Sequence, residues 1–453
     1  MRAGTSSIVQ CANPAALESS FRDQQIGWTA IAAVCAPVPA AMAMSVALYV
    51  ATLTIMLFRP PDVELYSVDR IAFAVLVFVV LLRALALRQR IRTGGWLMLP
   101  MAGLAALASV SALSHSYQAS AWSVMAAKFV VPFAMFWVAA MIFRSEGSLR
   151  WLERFCLLVM AYLIFTAIAS LAGIHELVFP RYILDESIGI HADRARGPFL
   201  QAVANGVTLN LLGLLAIDRF RRKRLPGIWP GLLVPLSVAI VATKTRGVWL
   251  SFAVPVLWLL LRDKTMRLRS VWGLLTLASL SGLFCLSSVL DASGALEDRL
   301  QDRNSVEFRM AAYQAGWEMF LARPLTGWGT TELQTTLSDR IRGFRGQSFA
   351  VHNTYLEILL EHGICGIGLY AWLIVALFRL GKKRLGDTSS VASVRRLWPL
   401  LLGVYLVNAM FVVMNYQFVN GLLFTFAGVL AAGSDQAHWK NTGPAPEFAP
   451  FLP

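Results

Sequence analysis

The stretch VLVFVVLLRALALRQRIRTGGWLMLPMAGLAALASVSAL (75–113) decides the fold class. An apolar run long enough to enter a bilayer stops at a basic cluster, Arg88, Arg90 and Arg92. It resumes at once beyond Trp96. The pattern recurs along the chain, with basic groups at Arg219 to Arg224, Arg262 to Arg269 and Arg379 to Arg396 between apolar segments. Across 453 residues the chain is 57% hydrophobic and 15% charged, where soluble domains carry about 25% charged residues. Most of the length therefore reads as membrane helix. Trp96, Trp122, Trp151, Trp249, Trp272 and Trp398 fall near segment ends, where amphipathic rings settle at the interface.

The net charge of +14 resides in short loops, not in a basic soluble domain. This argues against nucleic acid as a partner and marks those loops as cytoplasmic by the positive-inside rule. Spans are expected near 28–58, 70–87, 95–113, 121–143, 151–173, 199–217, 228–242, 247–261, 271–290, 362–380, 398–416 and 417–434. The fold class is thus all-α, a polytopic transmembrane bundle of about twelve helices. A cytoplasmic tail covers 1–27, helices one to nine cover 28–290, an outer loop covers 291–361, helices ten to twelve cover 362–434, and a cytoplasmic tail covers 435–453. The apolar run from 26 is read as an uncleaved first helix. Pro37 and Pro39 leave open whether it is one kinked helix or a hairpin.

Only 174–198 and 291–361 are outer segments of any size. In the larger, Val306, Met310, Tyr313, Trp317 and Leu321 recur at helical spacing, which suits a helix lying on the membrane face. Asn304 with Glu307 has capping-box spacing, and Pro324 ends the run. PLTGWGT (324–330) permits a tight turn at its two glycines, and HNTYLEILLEHG (352–363) starts a second helix, with Thr354 and Glu357 as a cap.

All seven bases of 291–361 are Arg, whose planar donors fit phosphate oxygens. In TKTRGVWL (243–250), Lys244 and Arg246 sit at a helix start, where free N–H groups favour an anion. Ion pairing and snorkelling are the plainer readings of these cations. Lys128 lies inside the fourth span, where an ionisable group is a functional candidate by default. His352 precedes a helix N-terminus, which disfavours imidazolium and suits a neutral general base. The five Cys (11, 35, 156, 285, 365) and six His form no ligand spacing, so no metal site and no cofactor are expected.

Several segments together resemble the O-antigen ligase and O-antigen (exopolysaccharide) polymerase superfamily. They are TKTRGVWLSF (243–252), FRMAAYQAGWEMFLARPLTGWGTTEL (308–333), VHNTYLEILLEHGICGIGLY (351–370) and RARGPFLQAVANG (194–206). The last lacks the usual Asn-Pro, carrying Ala-Val-Ala-Asn in its place. The resemblance implies a bacterial inner-membrane glycosyltransferase with its active site facing the periplasm, the large loop then being periplasmic. Such an enzyme moves a glycan from undecaprenyl diphosphate to an acceptor hydroxyl, either another glycan (polymerase) or lipid A–core (ligase). It also implies the lipid bilayer and other polysaccharide assembly proteins as partners. Arg246 and Arg309 would bind the diphosphate, with Arg196 and Lys128 as secondary candidates, and His352 would serve as base. The Arg-Gly-Pro-Phe segment favours the polymerase. A flippase for lipid-linked sugars and a non-catalytic scaffold are the alternatives from other classes.

Overall fold

The computed structural model describes residues 38–59, 68–86, 95–114, 116–189, 192–222, 229–262, 303–341, 351–382 and 389–442. The tail 1–27, the ninth span at 271–290, the start of the large loop, and most of the basic cluster at 262–269 lie outside these residues, as do Arg88, Arg90 and Arg92. The described residues form helices and no strands. Gly95–Leu113, Ala119–Ile142, Glu146–Leu171, Ala202–Arg221 and Thr354–Lys382 are long and apolar enough to cross a membrane.

Helix α1 is Val38–Leu57 and α2 is Val68–Ala86. Pro39 falls in the first turn of α1, where the missing N–H has no partner to lose. Helix α3 is Met98–Leu113. Helix α4, Ala119–Met125, runs through a single π-helical turn at Ala126–Val130 into α5, Val131–Ile142. Helix α6, Glu146–Leu171, starts on a Ser145–Ser148 capping box, and α7 is Ala202–Arg221. Helices α8 (Leu233–Ala242) and α9 (Arg246–Arg262) follow, joined by the 243–245 turn. Then come α10 (Arg303–Ala322), α11 (Gly329–Arg340), α12 (Thr354–Lys382), α13 (Ser389–Ala409) and α14 (Gln417–Thr442). Helix α14 extends past the expected end of the last span at 434.

Small residues let backbones touch where no hydrophobic difference between lipid and protein drives association. Gly428 of α14 lies so close to α5 that a Cβ there would meet the Phe136 carbonyl oxygen at 2.3 Å. Tyr49 adds a polar tie, its fully buried hydroxyl 3.1 Å from the Met135 carbonyl and 2.6 Å from Thr425 Oγ1. At one end of the bundle, the basic ends of α7 and α13 meet. Arg221, Arg222 and Arg396 surround the fully buried Asp218, and Arg219 pairs with Glu153. At the opposite end of these helices lie the starts of α7, α9, α12 and α14.

The large-loop segment departs from expectation in two places. Helix α10 begins at Arg303, so Asn304 lies in its first turn, not ahead of it. Its apolar stripe faces away from the protein, as a helix lying on a membrane face would present it: Met310, Trp317 and Leu321 are exposed, while Ala312, Ala315 and Met319 pack inward. A further helix, α11, occupies the stretch after the Gly-rich turn.

Helix α12 joins the loop helix to the tenth span but breaks at Gly363 (φ 62°, ψ −158°). The break frees backbone groups, and the PLTGWGT turn satisfies them: Trp328 N–H donates to Leu360 O at 2.8 Å, and Ile364 N–H donates to Pro324 O at 2.8 Å. The two backbones touch because both sides are glycine. A Cβ on Gly363 would stand 2.3 Å from Leu325 O, and one on Gly327 would stand 2.5 Å from the Glu361 carbonyl carbon. Gly363→Ala is therefore expected to destabilise the protein by about 1–3 kcal/mol from backbone strain alone. Gly368, with open space around its Cα, is the neutral control. Thermal melting in detergent reads the difference, and equal melting of the two alanine variants refutes this account of the junction.

Candidate active site

Non-glycine residues rarely take a positive φ. The described residues contain three, Leu200 (51°), Lys244 (48°) and His352 (52°), and each lies in a segment singled out by motif. The three segments converge at the end of the bundle opposite the basic cluster. Ala195 N–H donates to Ala242 O at 3.0 Å, joining the 192–200 loop to the 243–245 turn. Lys244 Nζ pairs with Asp193 at 3.2 Å across the same junction.

Arg246 opens α9, and its side chain is exposed with no partner among the described residues. Below it, α7, α9 and α13 are locked by buried amides. Asn210 Nδ2 donates to Val248 O at 2.9 Å, and Asn408 Nδ2 donates to Ser251 Oγ at 2.7 Å. A Cβ on Gly206 would meet Val248 at 2.4 Å, so α7 and α9 are in close contact there. Gly247 faces Phe411 and Asn408. The segment after α13 then reaches α12, where Thr354 Oγ1 donates to Val412 O at 2.8 Å and accepts from Met414 N–H at 2.9 Å.

His352 stands two residues before Thr354. The cap of α12 is Asn353, whose Oδ1 accepts from Tyr355 N–H at 3.0 Å and Leu356 N–H at 3.1 Å. Thr354, expected as the cap, is engaged with 412–414 instead. The His352 side chain is half-buried. Burial, and after it the charge of Arg309, hold its imidazole below the usual histidine range. Arg309, exposed on α10, is thus within electrostatic reach of His352. An imidazole whose pKa is held down can accept a proton, and an exposed guanidinium can face an anion.

The two secondary cations stand elsewhere. Arg196 is buried, at 1% exposure, and donates to three backbone carbonyls: Ile183 at 2.8 Å, Ile188 at 2.6 Å, and Asp185. It organises the 183–196 loop and presents no free edge to a ligand. Lys128 lies in the π-helical turn, 2.8 Å from Glu357 and 2.9 Å from Glu361 of α12. All three side chains are nearly sealed from solvent. Glu357, expected as part of a cap, and Glu361, which the sequence reading did not single out, form instead a pair at i, i+4 on an apolar helix, a signal for a buried cation opposite.

No curated protein matches the chain. Residues 231–371 match the family model described as O-antigen ligase. That stretch, about a third of the chain, takes in the 243–245 turn, Arg246, α10, the glycine junction and His352, and over it the chain is similar to the O-antigen ligase family.

Proposed function

We propose that the protein is a membrane glycosyltransferase of the O-antigen polymerase or ligase type, acting on a glycan carried by undecaprenyl diphosphate. The observation that carries this reading is the convergence of the 192–200 loop, the 243–245 turn and the His352 segment at one end of the bundle, with half-buried His352 preceding α12 and Arg246 exposed at the start of α9. Gly247, next to Arg246, borders the same 408–414 segment that anchors Thr354.

In the proposed reaction, an acceptor hydroxyl oxygen forms a bond to the anomeric carbon. The bond from that carbon to the diphosphate oxygen breaks, and the electron pair leaves with the lipid diphosphate. Arg246 and Arg309 hold the charge that develops there, where oriented cations act most strongly. His352 takes the hydroxyl proton. Arg196 and Lys128 take no direct part, because their donors are engaged within the protein. The site faces the periplasm in this reading, since the basic ends of α7 and α13 lie at the opposite end of these helices.

Polymerase is preferred to ligase on the Arg-Gly-Pro-Phe segment. Product analysis in cells lacking the gene tests both. Single repeats held on lipid are expected for a lost polymerase, and unattached full-length glycan for a lost ligase. Unchanged surface glycan refutes the function. A transporter reading draws on the buried charges around Lys128, but these pair with one another.

A further inference from the structure

The bundle end holds a half-open cavity of about 270 Å³, whose Asn415 wall follows Met414, the residue bonded to Thr354. Its wall includes Arg59, Ser123, Phe199, Asn415, Tyr416 and Gln417. The volume falls just short of the roughly 300–1,000 Å³ that takes a drug-sized ligand. It therefore suits one compact ring, not an extended chain.

The polar groups of the wall are fixed in place. Arg59 donates to Gln417 Oε1 at 2.9 Å and to Ser123 Oγ at 3.1 Å. It also pairs at 3.4 Å with the fully buried Asp69. Among the described residues of the wall the cation is Arg59, and it is matched by a carboxylate, so they offer oriented amide, hydroxyl and guanidinium groups without net positive charge. A diphosphate needs uncompensated cations and finds none among these described residues. A neutral ring with hydroxyls on its edge and C–H faces meets complementary partners in these polar groups and in the rings of Phe199 and Tyr416.

The cavity is also rigidly joined to the reacting segment. Asn420 Nδ2 donates to Ala127 O at 3.1 Å and to Met414 O at 2.9 Å, holding the 414–417 wall against the π-helical turn. Met414 in turn donates its N–H to Thr354, two residues from His352.

We infer that this cavity holds one sugar ring of the acceptor glycan, apart from the diphosphate cations Arg246 and Arg309. The inference rests on the proposed transferase function and assigns Arg59, Ser123, Asn415, Tyr416 and Gln417 as acceptor-binding residues, with no part in the diphosphate site.

The test uses the full chain in lipid nanodiscs, with lipid-linked glycan extracted from its own cells as saturating donor. The acceptor class shown by the product analysis is titrated. Ser123→Phe fills the cavity, and Gln417→Leu removes a polar group from its wall. Each is expected to raise the acceptor KM at least tenfold, with the donor KM within threefold of wild type and melting unchanged. Gln417→Asn is expected to restore part of the acceptor affinity. An unchanged acceptor KM in either correctly folded variant overturns the inference, as does a rise confined to the donor KM. If one variant fails to fold, the other decides. Absence of glycan transfer by the wild-type enzyme in the same assay refutes the transferase reading, separately from the cavity.

Discussion

Replacing His352 with Ala is expected to lower glycan transfer by a factor of about 10²–10⁴, the range that a positioned general base supplies. Insertion and melting should stay near wild type, because the helix start beneath it is held by Asn353 and Thr354. The pH profile separates a proton-accepting role from a packing one. The active form is the neutral imidazole, and burial together with the Arg309 charge displaces its pKa downward. Wild-type kcat/KM should hold as pH falls to the ordinary histidine range and drop only below it. Arg309→Gln removes a cation that opposes protonation. The imidazole pKa then rises, and the acid limb moves to higher pH. Transfer by His352→Ala at the wild-type rate sinks the catalytic assignment. An acid limb that stays in place in Arg309→Gln sinks the electrostatic link between the two.

Lys128→Met is expected to destabilise the protein by about 3–5 kcal/mol, since it leaves two carboxylates buried without their cation. Lys128 lies 2.8 Å from Glu357 and 2.9 Å from Glu361, with side-chain exposures of 4%, 10% and 2% respectively. The companion variant Lys128→Met/Glu357→Gln/Glu361→Gln should recover most of the loss, because it removes the desolvated charges together. Thermal melting of the purified protein in detergent reads both. A single variant as stable as wild type refutes the buried-cation account, and so does a triple variant no better than the single.

Much of the architecture is legible in the chain. Apolar runs interrupted by Arg clusters announce helices because lipid offers no partner for an unpaired backbone. Span limits were read to within a few residues for Met98–Leu113 and Val68–Ala86. The glycines of PLTGWGT announced a turn, and both Gly327 and Gly329 take positive φ. Helix α11 was missed because GTTELQTTLSDR carries little apolar periodicity, and packing against neighbouring elements supplies what its local sequence lacks.

The candidate site was only partly legible. Motif order singled out Arg246, Arg309 and His352, yet could not tell a cation available to a ligand from one bound within the protein. Arg196 and Lys128 look the same in a string of letters as Arg246 does. Whether a charge is free depends on what long-range packing brings opposite it. For Arg196 this is three carbonyls of the 183–188 segment, and for Lys128 it is two carboxylates more than two hundred residues away.

By itself, then, the sequence determined the helical class, the placement of the basic clusters along the chain and the motif segments within the family match, because hydrophobic length, charge and motif spacing are local properties. Only the tertiary structure decided which cations are engaged inside the protein, how the Gly363 break is satisfied by the turn at 324–328, and where the cavity walled by Arg59 and Gln417 lies. Those outcomes depend on contacts between residues far apart in the chain, and no local pattern encodes the partner.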